Sequence, residues 1–149
     1  VTLRQAHMGH VPWLLSILWA FTRCTPWLPQ VRTRFTDLRV MCLVIRRGWV
    51  RIAFEDGRPV GFLARDGSRI HALYVHPRAR GRGVGRALLQ EAKTGAAYLD
   101  LYVLQQNRPA WSFYAREGFA EAGRGAGAGN DEKMPDIRMI WHAREGGET

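Results

Sequence analysis

The chain has 149 residues, 46% of them hydrophobic and six of them tryptophan, which suits one domain with a single core over residues 1–149 and excludes a disordered chain. Its formal net charge of +9 favours anionic ligands, but Lys93 and Lys133 are the only lysines and the arginines are spread along the chain. No basic tail or arginine-rich helix face forms, so no nucleic-acid partner is expected, although composition alone leaves one open.

No apolar run approaches the roughly 20 residues that cross a bilayer. Val11 to Phe21 is the nearest, is interrupted by Pro12 and Ser16, and lacks the basic flank and cleavage site of a signal peptide. A soluble cytoplasmic protein with no membrane partner is the expectation. In chain order, Thr2 to Arg4 reads as a first strand. Pro12 at a first helical position, followed by Trp13, Leu14, Ile17, Leu18 and Phe21, predicts an amphipathic helix stopping at Thr25-Pro26. Pro26-Trp27-Leu28-Pro29, with two prolines in four residues, predicts a loop carrying a large apolar side chain. A second helix is expected with Thr36 as N-cap, Asp37 at its positive end, and Leu38, Met41, Cys42 and Ile45 as its buried face. Arg46 and Arg47 suit its C-terminus and Gly48 ends it. Cys24 and Cys42 form no disulfide framework or metal motif, so both are read as structural and no metal is expected.

A meander follows. Val50, Ile52 and Phe54 alternate along one strand, Asp56-Gly57 turns, Val60, Phe62 and Ala64 mark the next, and Asp66-Gly67 turns into a strand ending at Val75. The segment Ile70 to Leu89 then reads I-H-A-L-Y-V-H-P-R-A-R-G-R-G-V-G-R-A-L-L. It starts as a strand, which Pro77 stops, and finishes as a helix with Val84, Leu88 and Ala92 on one face. Between them lie Gly81, Gly83 and Gly85 and the arginines Arg80, Arg82 and Arg86. A strand entering a helix through a glycine turn is an anion site: the first-turn amides lack intrahelical acceptors, the helix dipole adds positive charge, and glycine lets the backbone approach a phosphate. No lysine follows the glycines as a P-loop requires, and the sixth position of a dinucleotide fingerprint is Arg86 or Leu88, not glycine. Asp100 lies within an alternating strand, not at its end, and so fits a ribose contact poorly. The bland alternative is a turn that merely tightens a strand–helix junction.

Tyr98 to Leu104 alternates as a strand, parallel to the one ending at Val75 because a helix connects them. Pro109 opens a short helix through Glu117, and Phe119 to Ala122 and Ile137 to Trp141 read as a last strand pair. The glycine-rich run between that pair is expected as a mobile loop, and the tail from Ala143 as frayed.

Arg80, Gly83 and Gly85 match in register the acyl-CoA signature [QR]-x-x-G-x-[GA], and the segment resembles that of the GNAT superfamily of N-acetyltransferases. Leu73 to Pro77 and Ala87 to Leu89 fit the same context. Asn107, Ala110, Phe113, Tyr114, Gly118 and Phe119 fill a second family pattern, N-x-x-A-x-x-F-Y-x-x-x-G-F. The two motifs cover Ile70 to Phe119, about a third of the chain, while the first 65 residues match by element order. The resemblance implies an α/β (α+β) GNAT-type fold, with a central mixed, mostly antiparallel sheet of about seven strands flanked by about four helices. It also implies acetyl-CoA as cofactor.

The resemblance further implies that main-chain groups of Leu73, Tyr74 and Val75 hold the pantetheine and thioester. The pyrophosphate falls to the loop Arg80, Gly81, Arg82, Gly83, Val84, Gly85 and Arg86, and Asn107 is a pantetheine ligand or a helix cap. Tyr114 matches the family's tyrosine acid, which suits a phenol of ordinary pKa ~10; otherwise it is a core aromatic. His71 is the nominated base, against a pocket histidine or deprotonation by water, and His76 is expected exposed. Phe21, Trp27 and Leu28 are nominated to line the acceptor pocket, against simple packing, and Glu55 or Asp56 to attract a cationic amine, against turn roles. The expected reaction is transfer of acetyl to a primary amine of a small molecule or a peptide N-terminus by direct attack in a ternary complex. The competing reading is a non-catalytic acyl-CoA-binding module. The expected assembly is a monomer or homodimer.

Overall fold

The computed structural model describes residues 1–28, 33–127 and 133–143. Seven strands, β1 (Thr2–Gln5), β2 (Val50–Glu55), β3 (Arg58–Asp66), β4 (Arg69–Val75), β5 (Tyr98–Leu104), β6 (Ala120–Gly125) and β7 (Asp136–His142), form one sheet in the order β1-β2-β3-β4-β5-β7-β6. Four helices accompany them: α1 (Val11–Arg23), α2 (Arg34–Arg46), α3 (Val84–Thr94) and α4 (Arg108–Arg116). All neighbouring strands are antiparallel except β4 and β5, which the α3 crossover makes parallel. The expected mixed, mostly antiparallel architecture is therefore what the sequence forms.

The hairpins follow from local chemistry. Asp56 and Gly57 both take positive φ, 52° and 77°, the pair of values that a tight turn between twisted antiparallel strands needs. The two faces of the sheet carry separate cores. On one, α3 and α4 bury Val84, Leu88, Leu89 and Tyr114 against Leu63, Leu99, Leu101 and Ile137. On the other, α1 and α2 bury Leu14, Ile17, Met41 and Ile45 against Val50, Ile52 and Phe62. Among the described residues this second core takes nothing from β5, β6 or β7, so the sheet face of those strands on the α1–α2 side is left uncovered.

Several expectations are corrected. Thr33, not Thr36, caps α2, because its Oγ1 accepts the Thr36 amide at 3.1 Å. The predicted cap is thus the third residue of the helix. Of the predicted α2 core face, Met41 and Ile45 are buried, Cys42 is half-buried, and Leu38 is exposed. Cys24, read as structural, is an exposed thiol. Gly123 to Gly125, expected within a loop, pair in β6 with Arg138 to Asp136; residues 128–132 lie outside the described residues, as does the tail 144–149. Ala143 itself is tied down, its amide donating to the Ala97 carbonyl at 2.8 Å. No helix among the described residues is long and apolar enough to cross a membrane.

Candidate active site

The site is built where β4 and β5 part. Their ladder holds a single register pair, Arg69 with Asp100, and towards Val75 and Leu104 the two strands run without pairing. Main-chain groups alternate sides along a strand, and the His76 amide is spent on the Val60 carbonyl of β3 at 2.7 Å. The Val75 and Leu73 amides therefore face the crevice, where no strand takes them. Leu73, Tyr74 and Val75 are half-buried along its wall.

Beyond Val75 the chain makes one turn of 3₁₀ helix, Pro77–Ala79. His76 caps that turn, its Nδ1 accepting the Arg78 amide at 3.1 Å. It is half-buried, not exposed as expected, and burial first, then Arg78, Arg23 and Arg80, holds its pKa below the ordinary value. Gly81 and Gly83 follow at φ of 77° and 81°, the left-handed region that glycine enters without cost. Gly83 is the N-cap of α3 and supplies no side chain, so the amides of Val84, Gly85 and Arg86 at the helix start have neither an intrahelical nor a side-chain acceptor. Arg80, Arg82 and Arg86 are exposed around them. Three outward amides, two left-handed glycines and three guanidiniums fit a diphosphate. At Gly85 a Cβ would make only ordinary contact, 3.6 Å from the Phe113 and Val75 side chains.

The opposite wall is α4. Asn107 is its N-cap, with its Oδ1 accepting the Ala110 amide at 3.3 Å, which leaves its amide nitrogen for another partner. Tyr114 is 8% exposed, packed edge-on against Phe113 and beside Phe119. Burial first, then the Tyr74 phenol, pushes its pKa well above that of ordinary tyrosine, so its proton stays on at neutral pH. Among the described residues no group hydrogen-bonds its hydroxyl. The arrangement can donate a proton from one buried point into the crevice.

Phe21 of α1 comes to the same place, its ring 4.9 Å from that of Tyr74, with the Arg80 guanidinium 6.0 Å above it. Trp27 and Leu28 are half-buried in the turns after α1, and residues 29–32 lie outside the described residues. His71 is not brought to Tyr114. It occupies the β4 position skipped where Ala64 pairs Ala72 and Arg65 pairs Ile70, is exposed, and stacks on Trp49 at 5.3 Å. At ~3.3 Å per residue it stands about 10 Å along the strand from Tyr74. Glu55 is engaged with Arg82 of the glycine loop at 2.5 Å, and Asp56 is a turn residue.

One contributor escaped the sequence reading. Gly61 of β3 faces Val75, and a Cβ there would lie 2.9 Å from the Tyr74 carbonyl and 3.0 Å from Val84. Its missing side chain lets α3 sit close to the crevice wall. The signal available was a lone glycine inside a strand pattern, Val60-Gly61-Phe62.

Residues 46–121 match the model of the acetyltransferase (GNAT) domain. The chain belongs to the GNAT acetyltransferase family. It is similar to the peptidyl-lysine N-acetyltransferase YiaC of Escherichia coli, with 33% identity over 128 residues, 78% of this chain and 82% of YiaC. It is also similar to the peptidyl-lysine N-acetyltransferase YjaB of the same organism, with 38% identity over 95 residues and 64% of each chain. The solution structure of apo YjaB superposes with a TM-score of 0.70 at 25% identity, covering 94% of this chain and 96% of YjaB. The PaiA N-acetyltransferase of Thermoplasma acidophilum, solved in complex with coenzyme A, shares the fold with a TM-score of 0.70 at 20% identity, over 95% of this chain and 98% of PaiA. GNAT acetyltransferases use acetyl-CoA, and this family member is an acetyl-CoA-dependent N-acetyltransferase.

Proposed function

We propose that the protein transfers the acetyl group to a primary amine of a polypeptide, a lysine side chain or an N-terminus, with both substrates bound at once. The observation that carries the reading is the β4–β5 ladder, which stops after one pair and opens beside a nearly buried tyrosine and an uncapped glycine-led helix. The names of YiaC and YjaB, both peptidyl-lysine N-acetyltransferases, support a polypeptide acceptor.

Acetyl-CoA supplies the activated thioester that the amine attacks directly. Amides of Gly81, Arg82, Gly83, Val84, Gly85 and Arg86 bind the diphosphate, with Arg80, Arg82 and Arg86 adding charge. Amides of Leu73 and Val75 hold the extended arm as an extra strand would, and that of Val75 donates to the oxygen on which charge develops. Asn107 donates its side-chain amide to the arm while capping α4. Tyr114 keeps its proton until the sulfur departs and delivers it there. Phe21 forms part of the acceptor wall, with Trp27 and Leu28 at its rim. Proton removal from the amine falls to solvent water, since His71 stacks on Trp49 at the far end of the strand.

The test is release of CoA thiol with lysine peptides, and the separation of turnover from binding in Tyr114→Phe. A proton donor at this point contributes about 10²–10⁴-fold, so kcat should fall by that order while CoA affinity changes little. Turnover equal to that of the parent protein would remove Tyr114 from its role. Thiol release with polyamines or aminoglycosides but with no peptide would replace the polypeptide acceptor by a small molecule.

A further inference from the structure

Asp100 is 3% exposed at the closed end of the crevice, on the uncovered sheet face. Its Oδ1 accepts Arg69 Nε at 2.9 Å, and its Oδ2 accepts Arg69 Nη2 at 2.9 Å and Arg138 Nε and Nη2 at 3.2 and 3.0 Å. One carboxylate thus holds two guanidiniums through four hydrogen bonds. Each arginine side chain remains 38–39% exposed, with Nη1 unengaged by either bond to Asp100. Among the described residues no second carboxylate pairs with either arginine, so the cluster carries one net positive charge. Tyr102, 53% exposed, lies directly across the β5–β7 ladder from Arg138 and 5.0 Å under the Arg69 guanidinium. Tyr98, four register positions back from Tyr102, is exposed as well.

A structural ion pair needs one arginine, and an arginine merely covering the sheet needs no buried acid. Two guanidiniums fixed in place by one shared, buried carboxylate, over an aromatic floor, form a preorganised carboxylate receptor. Preorganisation matters because the side-chain entropy of holding an arginine still is spent before the ligand arrives.

We propose that Arg69 and Arg138 select acidic polypeptide acceptors, pairing with Asp or Glu side chains near the reacting amine while Tyr102 packs against the intervening chain. This rests on the polypeptide reading above. Arg69 precedes Tyr74 by five strand positions, roughly 16 Å at ~3.3 Å per residue. A lysine reaching the crevice therefore sets carboxylates two to four residues away within range of the pair.

The test uses the full chain, acetyl-CoA and matched peptides carrying one lysine, with Glu or Gln at positions two to four residues from it. By the worth of an exposed ion pair, each glutamate should raise kcat/KM about two- to fivefold at low salt, and the preference should fade as salt screens it. Arg138→Gln leaves Arg69 bidentate on Asp100 and should lower the preference while sparing kcat/KM on the Gln peptide. Arg138→Lys should restore most of it, as a purely structural arginine would not. Equal rates on Glu and Gln peptides, or a preference unmoved by Arg138→Gln, overturns the proposal and leaves the polypeptide reading standing. Acetylation of small amines alone removes both.

Discussion

Gly61→Ala tests whether close approach of β3, β4 and α3 shapes the crevice. The new Cβ would meet the Tyr74 carbonyl at 2.9 Å and Val84 Cγ1 at 3.0 Å, whereas ordinary contact begins at 3.4 Å. The carbonyl is main chain of β4 and cannot rotate away, so the strand or α3 must move by about half an ångström. Overpacking of this kind costs ~1–3 kcal/mol, offset by the ~0.4–1 kcal/mol that alanine contributes by restricting the unfolded chain. A net loss of ~1–2 kcal/mol corresponds to a fall in Tm of roughly 2–8 °C for a chain of this size. The shifted wall carries the Leu73 and Val75 amides, so KM for acetyl-CoA should rise as well. Thermal unfolding and thiol-release kinetics read the two effects separately. An unchanged or raised Tm with unchanged KM would show that the contact is absorbed elsewhere and that Gly61 does not set the wall.

Gly83→Ala forces a residue with a Cβ into φ of 81°; it should cost ~1–2 kcal/mol in denaturant unfolding and weaken CoA binding measured by calorimetry. Glu55→Gln frees Arg82, a pair whose arginine is well exposed. Unfolding free energy should change by less than ~1 kcal/mol, while CoA binds more tightly at low salt as the guanidinium turns to phosphate. The pKa of Asp100 is depressed, by Arg69 first and Arg138 next, against the opposing effect of burial. Its contribution is therefore complete above the ordinary aspartate value of ~3.9 and lost as pH falls through the lower folded value. Acid titration of Asp100→Asn should show a shallower loss of stability over that range.

The glycine loop, both Asp-Gly hairpins and the α3 crossover were legible because each depends on local backbone chemistry: positive φ, absent amide protons and apolar periodicity. The α2 boundary was misread because Thr33 and Thr36 are both competent caps, and only the Thr33 oxygen meets the Thr36 amide. Leu38 has the right spacing for a core residue, but the stripe that meets α1 and the sheet is narrow and centres on Met41 and Ile45. Gly123 to Gly125 read as loop by composition, yet pairing with β7 overrides propensity. His71 was nominated from its strand and from the ability of an imidazole to take a proton near neutral pH. The irregularity in the β3–β4 ladder that accompanies its stacking on Trp49 depends on pairing register, which a linear pattern does not carry. The Asp100 cluster joins β4, β5 and β7 across 69 positions of chain, from Arg69 to Arg138, and only its lone acidic residue inside an apolar strand hinted at it.

The sheet keeps its two cores apart, with α3 and α4 on one side and α1 and α2 on the other. Substitutions in one packing layer are thereby insulated from the other, apart from those in the strands themselves. The family match spans residues 46–121, from the end of α2 to the start of β6, and so takes in α3, α4 and the strands they pack on. Side chains on α1 and α2 can therefore be exchanged without repacking the layer that α3 and α4 form behind the donor crevice.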